Sequence, residues 1–229
     1  IGKGVLAGGG NAIITDINMD AAKKTALELG ERVFVYKMDI GKPMEIRRIV
    51  AKIISDFARI DAAVNNAGIL SRCKFEDLNQ EEWERVIRIN LTGTYTVISA
   101  LFPHMKQHGG GRIVNVSSVA SKVGGGLLGT AAYASSKAGI NGLTKAIAKE
   151  GGPYGIYCNA VCPSYTITNM TMPLRKDEKK EDKVLKMIPL RRAAKPSEIA
   201  NMILFFASDA ASFINGEIGD CDGGLTLDG

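Results

Sequence analysis

Short runs of β-branched and apolar residues alternate along the chain with longer segments whose apolar positions recur every three to four residues. The short runs predict strands at residues 12–15, 33–36, 62–64, 113–116 and 157–161, with a sixth near Glu217 and Ile218. The longer segments predict helices at residues 21–29, 44–57 and about 135–150. Another opens at Pro196, whose fixed φ suits a first helical turn. The longest helix begins after Asn79. It carries Trp83, Val86, Ile87, Leu91, Tyr95, Ile98, Phe102 and Met105 in one stripe, which predicts a helix laid against a core. Apolar strands separated by helices fit a parallel sheet covered by helices on both faces. The glycine-rich stretches at residues 7–10 and 109–111 read as turns before strands. Residues 124–129 lie between a strand and a helix, where a loop can shape a site.

Size and composition narrow the class without changing this picture. A chain of 229 residues suits one α/β domain over residues 1–229, and neither a repeat nor an interdomain linker stands out. Apolar residues make up 45% and charged residues 23%, the balance of a soluble globular protein. The net charge of +5 is spread among acids, as in residues 175–182, and forms no basic stripe with aromatic stacking partners; nucleic acid is not an expected partner. Cys73, Cys158, Cys162 and Cys221 form no CxxC pair, and only His104 and His108 are available to complete a metal site, so reduced thiols and no metal are expected. Without a stretch of membrane-spanning length or a leader, the expected location is the cytoplasm.

Candidate chemistry enters at Tyr133 and Lys137, four apart on a predicted helix and therefore on one face, a turn apart. An ammonium roughly 5 Å from a phenol, at an effective dielectric of about 20, favours phenolate by on the order of 3 kcal/mol, or about two pKa units. That would bring proton exchange toward neutral pH. The strand at residues 113–116 runs straight into Ser117 and Ser118. A hydroxyl therefore stands at a carboxyl-end strand tip, where open α/β sheets place ligands, and Ser118 is suited to orient a carbonyl or alcohol oxygen.

Asn65-Asn66-Ala67-Gly68, then Asn90, Asn115-Val116-Ser117-Ser118, Tyr133-Ala134-Ser135-Ser136-Lys137 and Asn159-Ala160-Val161-Cys162-Pro163 together resemble the short-chain dehydrogenase/reductase family in order and spacing. The resemblance implies a Rossmann-like doubly wound sheet binding a nicotinamide dinucleotide. It makes Tyr133 the acid/base, lets Ser118 place the substrate oxygen, and has Lys137 hold the nicotinamide ribose and lower the tyrosine pKa. Asn90 would support a proton-relaying water as well as satisfying buried backbone, while Ser117 reads as structural. Asn65 and Asn66 either cap a strand end or, as the resemblance implies, lie beside the adenosine ribose and the central strand, with Ala67 and Gly68 as further cofactor contacts. Pro163, the Ile167 amide and the Thr168 hydroxyl would meet the carboxamide, although Ser164 replaces the family's usual glycine. Residues 170–190 would form a mobile substrate lid. A homotetramer or homodimer built on the long helices is also implied, with residues 222–224 near a neighbouring subunit.

Asp16, just after the first predicted strand, is either a surface turn residue or the acid that binds the adenine ribose hydroxyls and repels a 2′-phosphate, which favours NAD over NADP. Asp39 is either a helix N-cap or the acid beside the adenine. The front of the chain departs from the family, because Ile1-Gly2 matches only the end of its glycine-rich phosphate turn, leaving Gly2 as the cofactor contact there. The interval from Gly2 to Asp16 is also short by about one helical turn. Residues before Ile1, and some between Lys3 and Gly10, are therefore expected to be absent. An unbroken, well-formed segment across Lys3–Gly10 would contradict the second part.

The expected activity is hydride transfer between NAD(H) and a secondary alcohol or ketone, such as a sugar alcohol or sugar acid. A 3-oxoacyl-carrier-protein reductase is the alternative within the family. A non-catalytic dinucleotide sensor is the alternative outside it, and the intact Ser118, Tyr133 and Lys137 set argues against that use.

Overall fold

All the predicted strands form in the computed structural model, which describes residues 1–125 and 129–227. In chain order the elements are α1 (Gly2–Ala7), β1 (Ala12–Asp16), α2 (Met19–Leu29), β2 (Val33–Lys37), α3 (Pro43–Phe57), β3 (Ala62–Asn65), α4 (Gln80–Ile87), α5 (Gly93–Gln107), β4 (Gly111–Val116), α6 (Ala120–Val123) and α7 (Ala131–Gly151). They continue with β5 (Ile156–Pro163), α8 (Met172–Arg175), α9 (Glu178–Met187), α10 (Pro196–Phe206) and β6 (Ile218–Cys221). Side-chain caps start the helices where the sequence supplies them. Asn18 accepts from the Ala21 amide, Asn79 from Glu82 and Asp177 from Lys180, and proline opens α3 and α10.

Strand pairing is parallel throughout, in two pieces: β1–β2, and β3–β4–β5–β6. Alternation along the strands feeds two cores. On one face Ile113 and Cys158 meet α5 and α7, while Met38, Ile46, Ile49, Val50, Ile53, Val97 and Leu101 close the packing of α3 on α5. On the other, Val114 and Val161 pack on Ile199, Ile203 and Phe206 of α10. Burial on both faces explains why these strands read as continuous apolar runs.

No ladder joins β1 to β3 among the described residues, so the sheet is divided where the sequence reading expected a central strand to be lacking. The backbone runs unbroken from Lys3 through Gly10. The Gly8 amide donates to the Gly4 carbonyl and the Gly10 amide to that of Val5, and the expected break inside this segment is not found.

The long helix after Asn79 departs from a single stripe. A π-helical turn at Arg88–Thr92 separates α4 from α5 and inserts one residue, which rotates everything downstream by about 100°. Val86, Ile98 and Met105 are buried as expected, but Tyr95 turns outward and is 50% exposed, while Val97 and Leu101 take the core.

Candidate active site

At the carboxyl ends of β3, β4 and β5 lies a cleft of about 640 Å³ whose walls include Asn66, Ala67, Gly68, Ser118, Tyr133 and Lys137 on one side and Pro163, Ser164 and Thr168 on the other. The strands end there because each turns sharply into polar sequence, and parallel strands must all present their carboxyl ends to the same edge.

Ser118 is presented by the turn from β4 into α6. The Ala120 amide donates to its Oγ at 3.1 Å. Tyr133 and Lys137 come from α7, one turn apart as the spacing predicts, with the Lys137 Nζ 5.7 Å from the tyrosine ring centroid. Gly129 sits so close that a Cβ there would fall 2.3 Å from the Tyr133 ring, so only glycine lets the phenol occupy this position. Ser117 is structural, its hydroxyl donating to the Lys137 carbonyl and tying β4 to α7.

Electrostatics differ from the sequence expectation. Burial raises the Tyr133 pKa above its ordinary value, a hydrogen bond with Ser118 pulls it back, and the nearby Cys162 raises it further. Lys137, 4% exposed, is itself pushed down to about 8 by burial, and its ammonium donates to the Val116 carbonyl at 2.7 Å. The expectation that Lys137 brings Tyr133 toward neutrality is corrected, because burial is the largest influence on both groups and Lys137 is not among the causes acting on Tyr133.

Asn90, fully buried in the π-helical turn, uses its whole amide. Oδ1 accepts from the Ile69 amide at 2.8 Å, and Nδ2 donates to the Ile69 carbonyl at 2.9 Å and to Ser136 Oγ at 3.0 Å. It thereby fastens the loop after β3 to α7. Its Oδ1 would lie 3.2 Å from a Cβ added to Gly68, and the Lys137 Nζ 3.5 Å from it. The bare backbone at Gly68 leaves room beside the ammonium, and Asn66, Ala67 and Gly68 form one wall of the cleft there.

Other predicted contacts fall elsewhere. Asn65 donates to Asn115 Oδ1 at 2.8 Å, joining β3 to β4, and is not among the cleft residues. The Ile167 amide is committed to the Ala194 carbonyl at 2.9 Å and so has no free N–H for a carboxamide; Thr168 does line the cleft. Ser164 donates to the Asp222 carbonyl, anchoring the loop after β5. Gly2 is the first residue of α1, and Ile1 rather than Gly2 reaches the cleft. Asp16 lies exposed at the end of β1, its Oδ1 accepting from the Asn18 amide at 2.8 Å. Asp39 is not the N-cap of α3, which is Lys42; it holds the preceding turn by accepting from the Gly41 amide.

Sequence reasoning missed α6 and the apolar wall from Leu70, Val119 and Val123. It also missed the way residues 170–190 are held. Leu174, Val184 and Ile188 pack on buried Tyr165, whose hydroxyl donates to Glu181, so the charged middle of this segment is the outer face of α9. Residues 126–128 of the predicted site loop lie outside the described residues.

A family model described as enoyl-(acyl carrier protein) reductase matches residues 1–226. The chain is 39% identical over 222 residues to the 3-oxoacyl-[acyl-carrier-protein] reductase FabG of Thermotoga maritima, covering 96% of this chain and 89% of that protein. It is 37% identical over 230 residues to the 2-dehydro-3-deoxy-D-gluconate 5-dehydrogenase of Bacillus subtilis, covering 98% and 89%. A solved gluconate 5-dehydrogenase from Burkholderia cenocepacia, in complex with NADP and tartrate, superposes with a TM-score of 0.90 at 30% identity, covering 99% of this chain and 89% of that one. With the Ser118, Tyr133 and Lys137 cleft on this sheet, these similarities show that the chain belongs to the short-chain dehydrogenase/reductase family and is an NAD(P)-dependent oxidoreductase acting on CH–OH groups.

Proposed function

We propose that this oxidoreductase is an NAD-preferring dehydrogenase of a secondary alcohol of the sugar-acid or sugar-alcohol kind, with Tyr133 as acid/base. The observation that carries the reading is the meeting of Ser118, Tyr133 and Lys137 in one cleft. The cofactor, when bound, supplies the hydride acceptor or donor at the carbon bearing the reacting oxygen. Lys137 would hold its nicotinamide ribose, Pro163 and Thr168 would flank the ring, and Asn66, Ala67, Gly68, Asp16 and Asp39 would serve the adenosine side.

Ser118 Oγ orients the substrate oxygen and Tyr133 exchanges its proton. At pH 7 the raised Tyr133 pKa keeps the phenol protonated, while Lys137, with a pKa of about 8, is mostly ammonium. The resting site is thus poised to donate a proton to a carbonyl oxygen, and alcohol oxidation should gain as pH rises. Asn90 keeps the floor of the cleft in register and, through the Ile69 and Ser136 contacts, supports the proton path beside Lys137.

The preference for NAD rests on Asp16, whose carboxylate would accept from ribose hydroxyls and repel a 2′-phosphate. The names of the gluconate-type relatives support a hydroxy-acid substrate. Absorbance at 340 nm with NAD or NADP and a panel of sugar acids, polyols and hydroxyacyl thioesters tests this. Turnover of a sugar acid or polyol that vanishes in Tyr133→Phe supports the reading.

A 3-oxoacyl-carrier-protein reductase is the second reading, favoured by the FabG relative and by a net charge of +5, which suits an acidic carrier. NADPH consumption with an acetoacetyl thioester, and silence toward sugar acids, would select it. We also propose a homotetramer or homodimer working in the cytoplasm; a monomer by light scattering at micromolar concentration would refute the assembly.

A further inference from the structure

Tyr133, Lys137 and Asn141 are spaced four apart along α7 and so share one face of that helix. The first two point chemistry into the cleft. Asn141 donates from Nδ2 to Ser121 Oγ at 2.9 Å, and Ser121 Oγ in turn donates to the Ser118 carbonyl at 2.6 Å. An unbroken amide–hydroxyl–carbonyl chain therefore runs from the helix of the acid/base to the backbone of the residue that meets the substrate oxygen.

The rest of Asn141 gives this chain its meaning. Its Oδ1 is buried and has no hydrogen-bond partner. A buried acceptor left unpaired is destabilising, so an apolar residue of similar size would be the more stable choice if only packing mattered. The donating half of the amide is what the fold uses. On its other side α6 is held by Lys122, whose ammonium reaches Asp220 on β6 at 2.7 Å, so the short helix is anchored to α7 and to the sheet edge.

We propose that Ser121 and Asn141 are positioning residues for Ser118, holding the turn from β4 into α6 in the register at which the Ser118 hydroxyl meets both Tyr133 and the substrate oxygen. The inference rests on the reading of Ser118 given above and deepens it. Neither residue touches substrate; each acts through the Ser118 carbonyl. A four-residue helix has little stability of its own, and the turn is held by the Ser117 amide on the Val161 carbonyl, the Val119 amide on the Pro163 carbonyl and the Ser121 amide on the Ser118 carbonyl, to which the Ser121 and Asn141 side chains add the link to α7.

Ser121→Ala breaks both links, and Asn141→Leu removes the donor together with the unpartnered oxygen. Each variant should lose on the order of tenfold in kcat, the scale of a slight misplacement, with KM for the dinucleotide unchanged. The pKa governing kcat/KM should rise, since Ser118 is the group that lowers Tyr133. Cys162 on β5, which also acts on Tyr133 and Lys137, loses its 3.9 Å contact with the Ser121 hydroxyl in Ser121→Ala but keeps it in Asn141→Leu, so a rise seen in both variants is carried by the brace and not by the thiol. Ser121→Thr, which keeps the hydroxyl, should recover most of the rate, and the double variant should be no worse than Ser121→Ala because both act on one chain. Fluorescence titration with the reduced dinucleotide confirms that each variant is folded. A wild-type kcat with an unshifted pH profile in Ser121→Ala would overturn the proposal, as would a loss that Ser121→Thr does not recover. Ser118→Ala run in parallel separates the two failures. Inactive Ser118→Ala beside fully active Ser121→Ala refutes the brace alone, whereas active Ser118→Ala refutes the reading beneath it.

Discussion

The two ends of the proposed dinucleotide site are built differently. At the catalytic end Asn90 is fully buried, Lys137 is 4% exposed, and Ser118, Ser117 and Asn90 each sit in defined hydrogen bonds to neighbouring elements. At the adenosine end Asp16 is exposed, α1 buries no residue, α2 buries only Ala22, and β1–β2 form a ladder of their own apart from the main sheet. Proton transfer demands atoms held within fractions of an ångström, and rigid buried networks supply that; gripping a ribose tolerates looser geometry because the energy is spread over many contacts. Damage at the first end should therefore appear in kcat at constant cofactor affinity, and damage at the second in cofactor affinity at constant kcat.

Tyr133→Phe should give the largest effect. Loss of the phenol proposed to exchange the substrate proton should lower kcat by about 10³-fold, within the range of general acid–base catalysis, while leaving dinucleotide binding within about twofold by fluorescence titration. A variant that loses affinity as steeply as turnover would erase the distinction between the two ends.

Lys137→Met sharpens the comparison because its effects on activity and stability have opposite signs. The folded pKa is about 8 against an ordinary 10.5, so below pH 8 the protein bears the full cost of a buried ammonium. Between pH 8 and 10.5 the unfolded chain holds more protons than the folded one, and stability rises with pH; above that range the cost is gone. The shift corresponds to on the order of 3 kcal/mol, reduced by about 1 kcal/mol for the unpaired Val116 carbonyl in the variant. Lys137→Met should fall about 100-fold or more in kcat yet unfold at a higher urea concentration at pH 7, with the gain shrinking by pH 10. A urea midpoint below wild type at pH 7 would show that the ammonium is not carried at a cost.

Asn90→Ala should lower both quantities. It leaves the Ile69 amide and carbonyl and Ser136 without their partner in a buried place, a loss of about 3 kcal/mol in urea denaturation, and kcat should drop by about tenfold as the floor of the cleft loosens. Asn90→Asp, which keeps an acceptor for Ile69 but removes the donor, should fall between the two. Equal stability of the alanine variant and wild type would mean that the amide does not hold the loop.

What the sequence revealed follows the same division. β4 and β5 were legible because both of their faces are covered, and β1 and β2 because their runs are rich in β-branched and aromatic residues; the four-residue spacing of Tyr133 and Lys137 survives any detail of packing. Tyr95 was misplaced because one π-helical turn, which no periodicity marks in advance, rotates α5 against α4. Ile167 was read as a free donor because a single sequence does not reveal that Ala194 takes its amide, and Asn65 was read as facing cofactor when its partner, Asn115, lies on the next strand. The proximity of Tyr133 and Lys137 was legible, but the desolvation that dominates both groups depends on burial, which only the packed structure supplies. Helix α6 escaped notice because four residues are too few to show a period.

The smallest expected effect belongs to Asp16, and it tests the adenosine end directly. The Asp16 carboxylate already accepts from the Asn18 amide, so it is held at the end of β1 by its own turn and needs no buried partner. Substituting it removes no core contact, and Asp16→Asn should change stability by less than about 0.5 kcal/mol, since Asn can accept from Asn18 in the same way. What disappears is the charge that repels a 2′-phosphate. Lys37 stands opposite Asp16 in the β1–β2 register, and without the carboxylate it becomes the nearest fixed charge on the neighbouring strand. The ratio of kcat/KM for NAD to that for NADP should therefore fall about tenfold, through KM, with kcat for NAD unchanged, as expected when only uniform binding is altered. An unchanged ratio would show that Asp16 is merely a turn residue; a fall in kcat would mean that the loosely built end is mechanically coupled to the rigid one after all.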